Sequence, residues 1–101
     1  MSLRLQRSAA SRQDIRSIWS YIANDNRLAA ERFAVRIEEL MNRLAEVPEI
    51  GRLRPELRKG MRSISIGRYV VFYEHDSEVV RLLRVMHGAR DITADHFPED
   101  E

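Results

Sequence analysis

The sequence predicts an α+β domain with the element order βααβββ. All four Gly and all three Pro lie after position 47, so the first half is uninterrupted and the second half punctuated. Apolar residues recur at helical spacing in the first half and sit in short β-branched runs in the second. The chain has 101 residues, 44% hydrophobic and 33% charged, which is a globular balance with one modest core. Residues 1–101 therefore read as a single domain, with Glu99-Asp100-Glu101 as a frayed acidic tail.

Leu3-Arg4-Leu5-Gln6-Arg7 alternates apolar and polar and predicts the first strand. Ser8 or Ser11 can cap the helix that follows. Ile15, Ile18, Trp19 and Ile22 form its apolar stripe, and Trp19 is expected in the core. Asn24-Asp25-Asn26 breaks the pattern as a three-residue link. A second helix spans about Leu28 to Ala45, with Ala30, Phe33, Ile37, Leu40, Met41 and Leu44 on one face. The two helices make an αα-hairpin that Pro48 and Gly51 terminate.

Residues 49–60 read as a loop. Met61–Ile66, Tyr69–Glu74 and Glu78–Met86 read as a three-strand meander. Gly67-Arg68 suits a two-residue type II′ turn, and His75-Asp76-Ser77 turns the chain again. Ala89–Phe97 adds a short helical turn. Phe72 and Tyr73 point to opposite faces of their strand, so one ring is expected in the core and the other at a rim. The expected architecture is a helical hairpin on one face of a four-stranded, mostly antiparallel sheet, with the other face exposed or used by a partner.

Composition excludes several chemistries. There is no Cys, hence no disulfide, iron–sulfur cluster, thiolate zinc site or nucleophilic thiol. His75, His87 and His96 lack the spacing of a ligand pair, so no metal and no cofactor are expected. No apolar run is long enough to span a membrane, and the opening residues carry no apolar signal segment. The cytoplasm is the expected compartment. Ser63 and Ser65 have no His-Asp companions, and no Gly-rich phosphate loop occurs. Net charge is +1, yet 16 of the 17 basic residues are Arg. Arg52, Arg54, Arg58, Lys59, Arg62 and Arg68 lie close together, opposed only by Glu56. That run is either a solvated, salt-bridged loop or a surface for an anionic partner. Aromatic residues do not interleave with it as they do in single-strand binding platforms.

An ordered set of short motifs runs over residues 8–97. It comprises Trp19-Ser20-Tyr21-Ile22-Ala23-Asn24-Asp25-Asn26, Ala29-Ala30-Glu31-Arg32-Phe33, Pro48-Glu49-Ile50-Gly51-Arg52 and Arg54-Pro55-Glu56-Leu57. Arg68-Tyr69-Val70-Val71-Phe72-Tyr73 and Arg84-Val85-Met86-His87-Gly88-Ala89-Arg90-Asp91-Ile92 complete it. In these the chain resembles the RelE/ParE superfamily of bacterial type II toxins, and the ParE branch in particular. The resemblance implies a βααβββ fold, growth arrest and a cognate antitoxin. That antitoxin would be ParD-like, with a DNA-binding N-terminal domain and an acidic or amphipathic C-terminal segment. Operator DNA would be reached only through it.

The resemblance leaves two mechanisms open. ParE toxins act on DNA gyrase, by binding. RelE relatives cut mRNA on the ribosome without a metal. For this second chemistry the candidates are His87 as acid/base, with Arg62, Arg81 and Arg84 on the phosphate. The C-terminal segment offers His96 and Phe97 where an RNA-cutting relative carries a Tyr, which favours gyrase. The expected contact residues for target or antitoxin are Arg52, Arg54, Arg58, Arg62, Arg68, Arg84, His87, Arg90 and Asp91.

Overall fold

The computed structural model describes residues 2–97. The expected acidic tail lies outside them. β1 (Arg4–Arg7) leads into α1 (Ala9–Asp25) and α2 (Arg27–Glu46). After a 3-10 turn come β2 (Arg52–Leu53), β3 (Arg62–Ile66), β4 (Tyr69–His75) and β5 (Val79–His87). A second 3-10 turn, Ala94–His96, is the helical turn expected near the C-terminus.

The sheet has five strands in the order β1-β5-β4-β3-β2. β1 runs parallel to β5, and every other pairing is antiparallel. The sequence reading missed β2, whose two residues pair Arg52 with Ser63 and Leu53 with Arg62. Tertiary bonds create this strand. The buried Tyr73 hydroxyl accepts the Gly51 N–H at 2.8 Å and donates to the Pro48 carbonyl at 2.7 Å. A Cβ at Gly51 would stand 2.5 Å from that hydroxyl, so only glycine lets the chain approach. Burial pushes the Tyr73 phenol above its usual range, partly opposed by the Gly51 hydrogen bond.

Ser8 caps α1 by accepting the Ser11 N–H at 3.0 Å and donates to the Leu83 carbonyl at 2.8 Å. The three-residue helix link contracts to Asn26 alone. Its N–H donates to Ile22 O at 2.7 Å, while its side chain accepts the Ala29 N–H at 3.1 Å. One residue thus ends α1 and starts α2, and Asn24 and Asp25 remain helical. Gly67 has φ +55° and no other residue of that turn has a positive φ, as a Gly-first turn requires.

The main core lies between α2 and the sheet. Phe33, Ile37, Leu40, Met41 and Leu44 meet Val71, Tyr73, Val80, Leu82 and Val85. Ile15, Ile18 and Ile22 of α1 pack against its margin. Trp19 is only half-buried and belongs to neither core cluster, contrary to expectation. The opposite face of the sheet is not open either. Leu57, Met61, Phe72, Leu83, Met86 and Phe97 form a second core there, with the Phe72 and Phe97 rings 5.0 Å apart. The chain's own loop and C-terminal segment cover that face. Phe72 and Tyr73 are therefore both fully buried, one on each side of the sheet.

Candidate functional site

The arginine run after position 50 is spent largely on the fold. Arg54 pairs with Glu56 at 2.7 Å, donates to Ser63 Oγ at 3.1 Å and covers the Phe72 ring. Its hydrogen bond holds the Glu56 carboxyl below the usual range. Arg58 pairs with Glu74 at 2.9 Å. Arg62 donates to the Glu49 and Gly51 carbonyls at 3.0 and 2.8 Å. Arg52 alone of these four is exposed.

Arg84 is also engaged. Its guanidinium forms a bidentate pair with Asp14 of α1, at 2.6 and 2.9 Å, and reaches the His96 carbonyl at 3.2 Å. Asp14 Oδ2 additionally accepts the Val85 N–H at 3.0 Å. The two side chains are 19% and 14% exposed. This pair closes the outer edge of β5 just past the end of β1 and ties α1 to the C-terminal segment.

The four residues of the nuclease reading do not converge. Arg62 pairs across from Tyr73, and His87 across from Tyr69. Four residues of strand separate these positions, about 13 Å at the usual rise. Arg81 sits opposite Glu74 and lines other grooves, while Arg84 is bound to Asp14 at the wall of the groove that holds His87. His87 Nδ1 accepts the Ala89 N–H at 3.0 Å. The neutral ring therefore carries its proton on Nε2 and presents a donor.

The β3–β4 turn end of the molecule differs. There Arg68, His87 and Arg90 line one groove of about 440 Å³ with Tyr21, Tyr69 and the engaged Asp14. The His87 ring stands edge-on to Tyr69, with centroids 5.4 Å apart, and Tyr69 in turn packs on Phe33. Gly88 N–H donates to the Arg68 carbonyl at 2.8 Å, fixing the end of β5 against the turn. A second groove, of about 700 Å³, shares Tyr21, Arg68 and Tyr69 and adds Arg32 and Arg36 of α2. The expected Arg68, His87 and Arg90 thus come together. Asp91 is exposed and lines neither groove.

Sequence reasoning missed Tyr21, Arg32 and Arg36 here. It also missed a groove of about 900 Å³ along β1, where Arg7, Arg12 and Arg16 join Arg81. The available signal was the i,i+4 spacing of Arg12 with Arg16 and of Arg32 with Arg36. Among the described residues no group of three His, Asp or Glu is gathered to hold a metal. No helix there is long and apolar enough to cross a membrane.

Residues 5–92 match the family described as the ParE toxin of the type II toxin-antitoxin system, parDE. The chain belongs to that family. It is the toxin component of a type II toxin–antitoxin system. Toxin ParE3 of Caulobacter vibrioides is 37% identical over 58% of this chain and 59% of its own length. Toxin RelE2 of the same organism is 34% identical over 76% of this chain and 85% of its own length. A solved chromosomal ParDE toxin–antitoxin system from P. aeruginosa superposes with a TM-score of 0.71 at 17% identity, over 85% of this chain and 96% of that one. The toxin therefore has the expected fold, extended by the short β2.

Proposed function

We propose that this toxin arrests growth by binding DNA gyrase in the cytoplasm, without turnover of its own. The observation that carries this reading is the dispersal of the acid/base and phosphate-binding set. Metal-independent RNA cleavage needs those groups around one phosphate. Arg62 and Arg84 are instead held by carbonyls and by Asp14. The groove of Arg68, His87 and Arg90 supplies a free cationic surface for the target. A cognate ParD-like antitoxin neutralises the toxin, and the β1 groove, where Arg12 and Arg16 are exposed, suits an acidic segment of it.

The test adds antitoxin-free toxin to a gyrase supercoiling reaction, with a translating ribosome reaction in parallel. Lost supercoiling with intact mRNA is expected. Normal supercoiling would refute the reading. The identity to a RelE-named toxin favours one alternative, ribosome-dependent mRNA cleavage. In that case His87→Ala abolishes cutting while antitoxin binding survives.

A further inference from the structure

The side chain of Tyr21 has no counterpart in the proposed mechanism. It is 77% exposed, the highest of any large hydrophobic among the described residues. It stands on α1 where the two grooves of the turn end meet, and it lines both. Around it are Arg36, Arg68 and Arg90. Arg36 Nη1 lies 3.4 Å from the position a Cβ would take on Gly67, so it reaches over the turn to the neighbourhood of Arg68. Among the described residues none of these three guanidiniums has an ion-pair or hydrogen-bond partner. The acids on the groove walls are Asp25 and Asp14, and Asp14 is committed to Arg84.

An exposed ring amid unpaired guanidiniums matches one ligand chemistry. Single-stranded nucleic acid offers flat bases to stack and phosphates at intervals. An acidic peptide would answer the arginines through its carboxylates, whereas a nucleic-acid strand brings a flat partner for the ring at every phosphate. The sequence alone could not show this, because Tyr21 is 47 residues before Arg68 in the chain. Folding supplies the interleaving of aromatic and cation that the linear sequence lacks.

We propose that these two adjoining grooves together bind single-stranded nucleic acid directly, with a base stacked on Tyr21 and adjacent phosphates on Arg36, Arg68 and Arg90. The site includes the groove assigned above to the target, and to that extent the inference rests on that reading. It names nucleic acid, rather than gyrase protein alone, as what the site grips.

The test is fluorescence anisotropy of labelled oligo(dT) and oligo(U) titrated with the full-length antitoxin-free toxin. Three phosphate contacts give a slope of about −2 for log affinity against log salt. Tyr21→Ala weakens binding about 10-fold, and Tyr21→Phe restores it. Arg68→Ala weakens binding and reduces the slope by about 0.7. Arg43→Ala, at the far end of α2, leaves binding unchanged. A preference between dT and U identifies which nucleic acid supplies the strand. Absence of binding overturns the inference. So does equal loss in Arg43→Ala and Arg68→Ala, or full affinity in Tyr21→Ala, because either reduces the groove to a diffuse cation. Running the supercoiling assay on the same preparation separates the two ideas. Lost supercoiling without oligonucleotide binding retains the gyrase reading and removes this one. Oligonucleotide binding with normal supercoiling does the reverse.

Discussion

Two of the toxin's arginine-rich regions do opposite things. The loop and strands from Arg52 to Arg62 concentrate most of the cations of the sequence's densest basic run. Yet Arg54, Arg58 and Arg62 each end on a carboxylate or carbonyl of the same chain. The turn end assembles Arg36, Arg68 and Arg90 from three distant segments, and these guanidiniums stay unpaired among the described residues. Charge density along a chain therefore says little about charge offered to a partner. What matters is whether the fold brings acceptors to the same place.

The sharpest way to break this contrast is to remove an internal partner. Asp14→Ala leaves Arg84 without its bidentate acceptor and Val85 N–H without its bond. We expect a loss of about 2–3 kcal/mol, read by urea denaturation. A loss under about 0.5 kcal/mol would show that Arg84 is not held as described. Gly51→Ala drives a methyl group into the Tyr73 hydroxyl and should cost about 1–3 kcal/mol by the same measurement. Arg62→Ala should cost about 1–2 kcal/mol, since two carbonyls lose a charged donor, while the proposed gyrase inhibition, measured on the surviving folded protein, should be unchanged. If inhibition instead falls with stability intact, the loop belongs to the target surface after all.

Arg90→Ala is the mirror image. Its stability should stay within about 0.5 kcal/mol of the parent, as for an exposed side chain without partners, and the loss should appear in target inhibition. The smallest expected effect concerns pH. Burial raises the Tyr73 phenol above 10.0, so the fold favours its neutral form. That contribution is complete below about pH 10 and is lost as pH rises through the raised value. Tyr73→Phe should lack this alkaline component in denaturation curves taken from pH 8 to 11, although it starts from lower stability.

Much of the fold was legible because it depends on local pattern. The stripe from Phe33 to Leu44, the Gly67 turn and the Ser8 cap each follow from a few neighbouring residues. β2 was not legible, because two residues carry no period and are extended only by Tyr73, Gly51 and β3. Covering of the second sheet face was hidden too, since Leu57, Met61 and Phe97 are isolated apolar residues in segments that look like loop. The site divides the same way. Arg68, His87 and Arg90 were visible as residues near strand ends. Tyr21 looked like part of a helix, and the partners that silence Arg54, Arg58, Arg62 and Arg84 come from residues up to 70 positions away.

The parallel pairing of β1 with β5 has a consequence for synthesis. β5 is the last strand in chain order among the described residues, yet it lies inside the sheet between β1 and β4 and carries Val80, Leu82 and Val85 of the main core. No shorter nascent chain can close that core, because β1 has no neighbour until residues 79–82 have left the ribosome. The helical hairpin can form early, but the sheet that holds the groove together cannot. The groove is thus completed in one step, when β5 docks between β1 and β4, rather than by degrees.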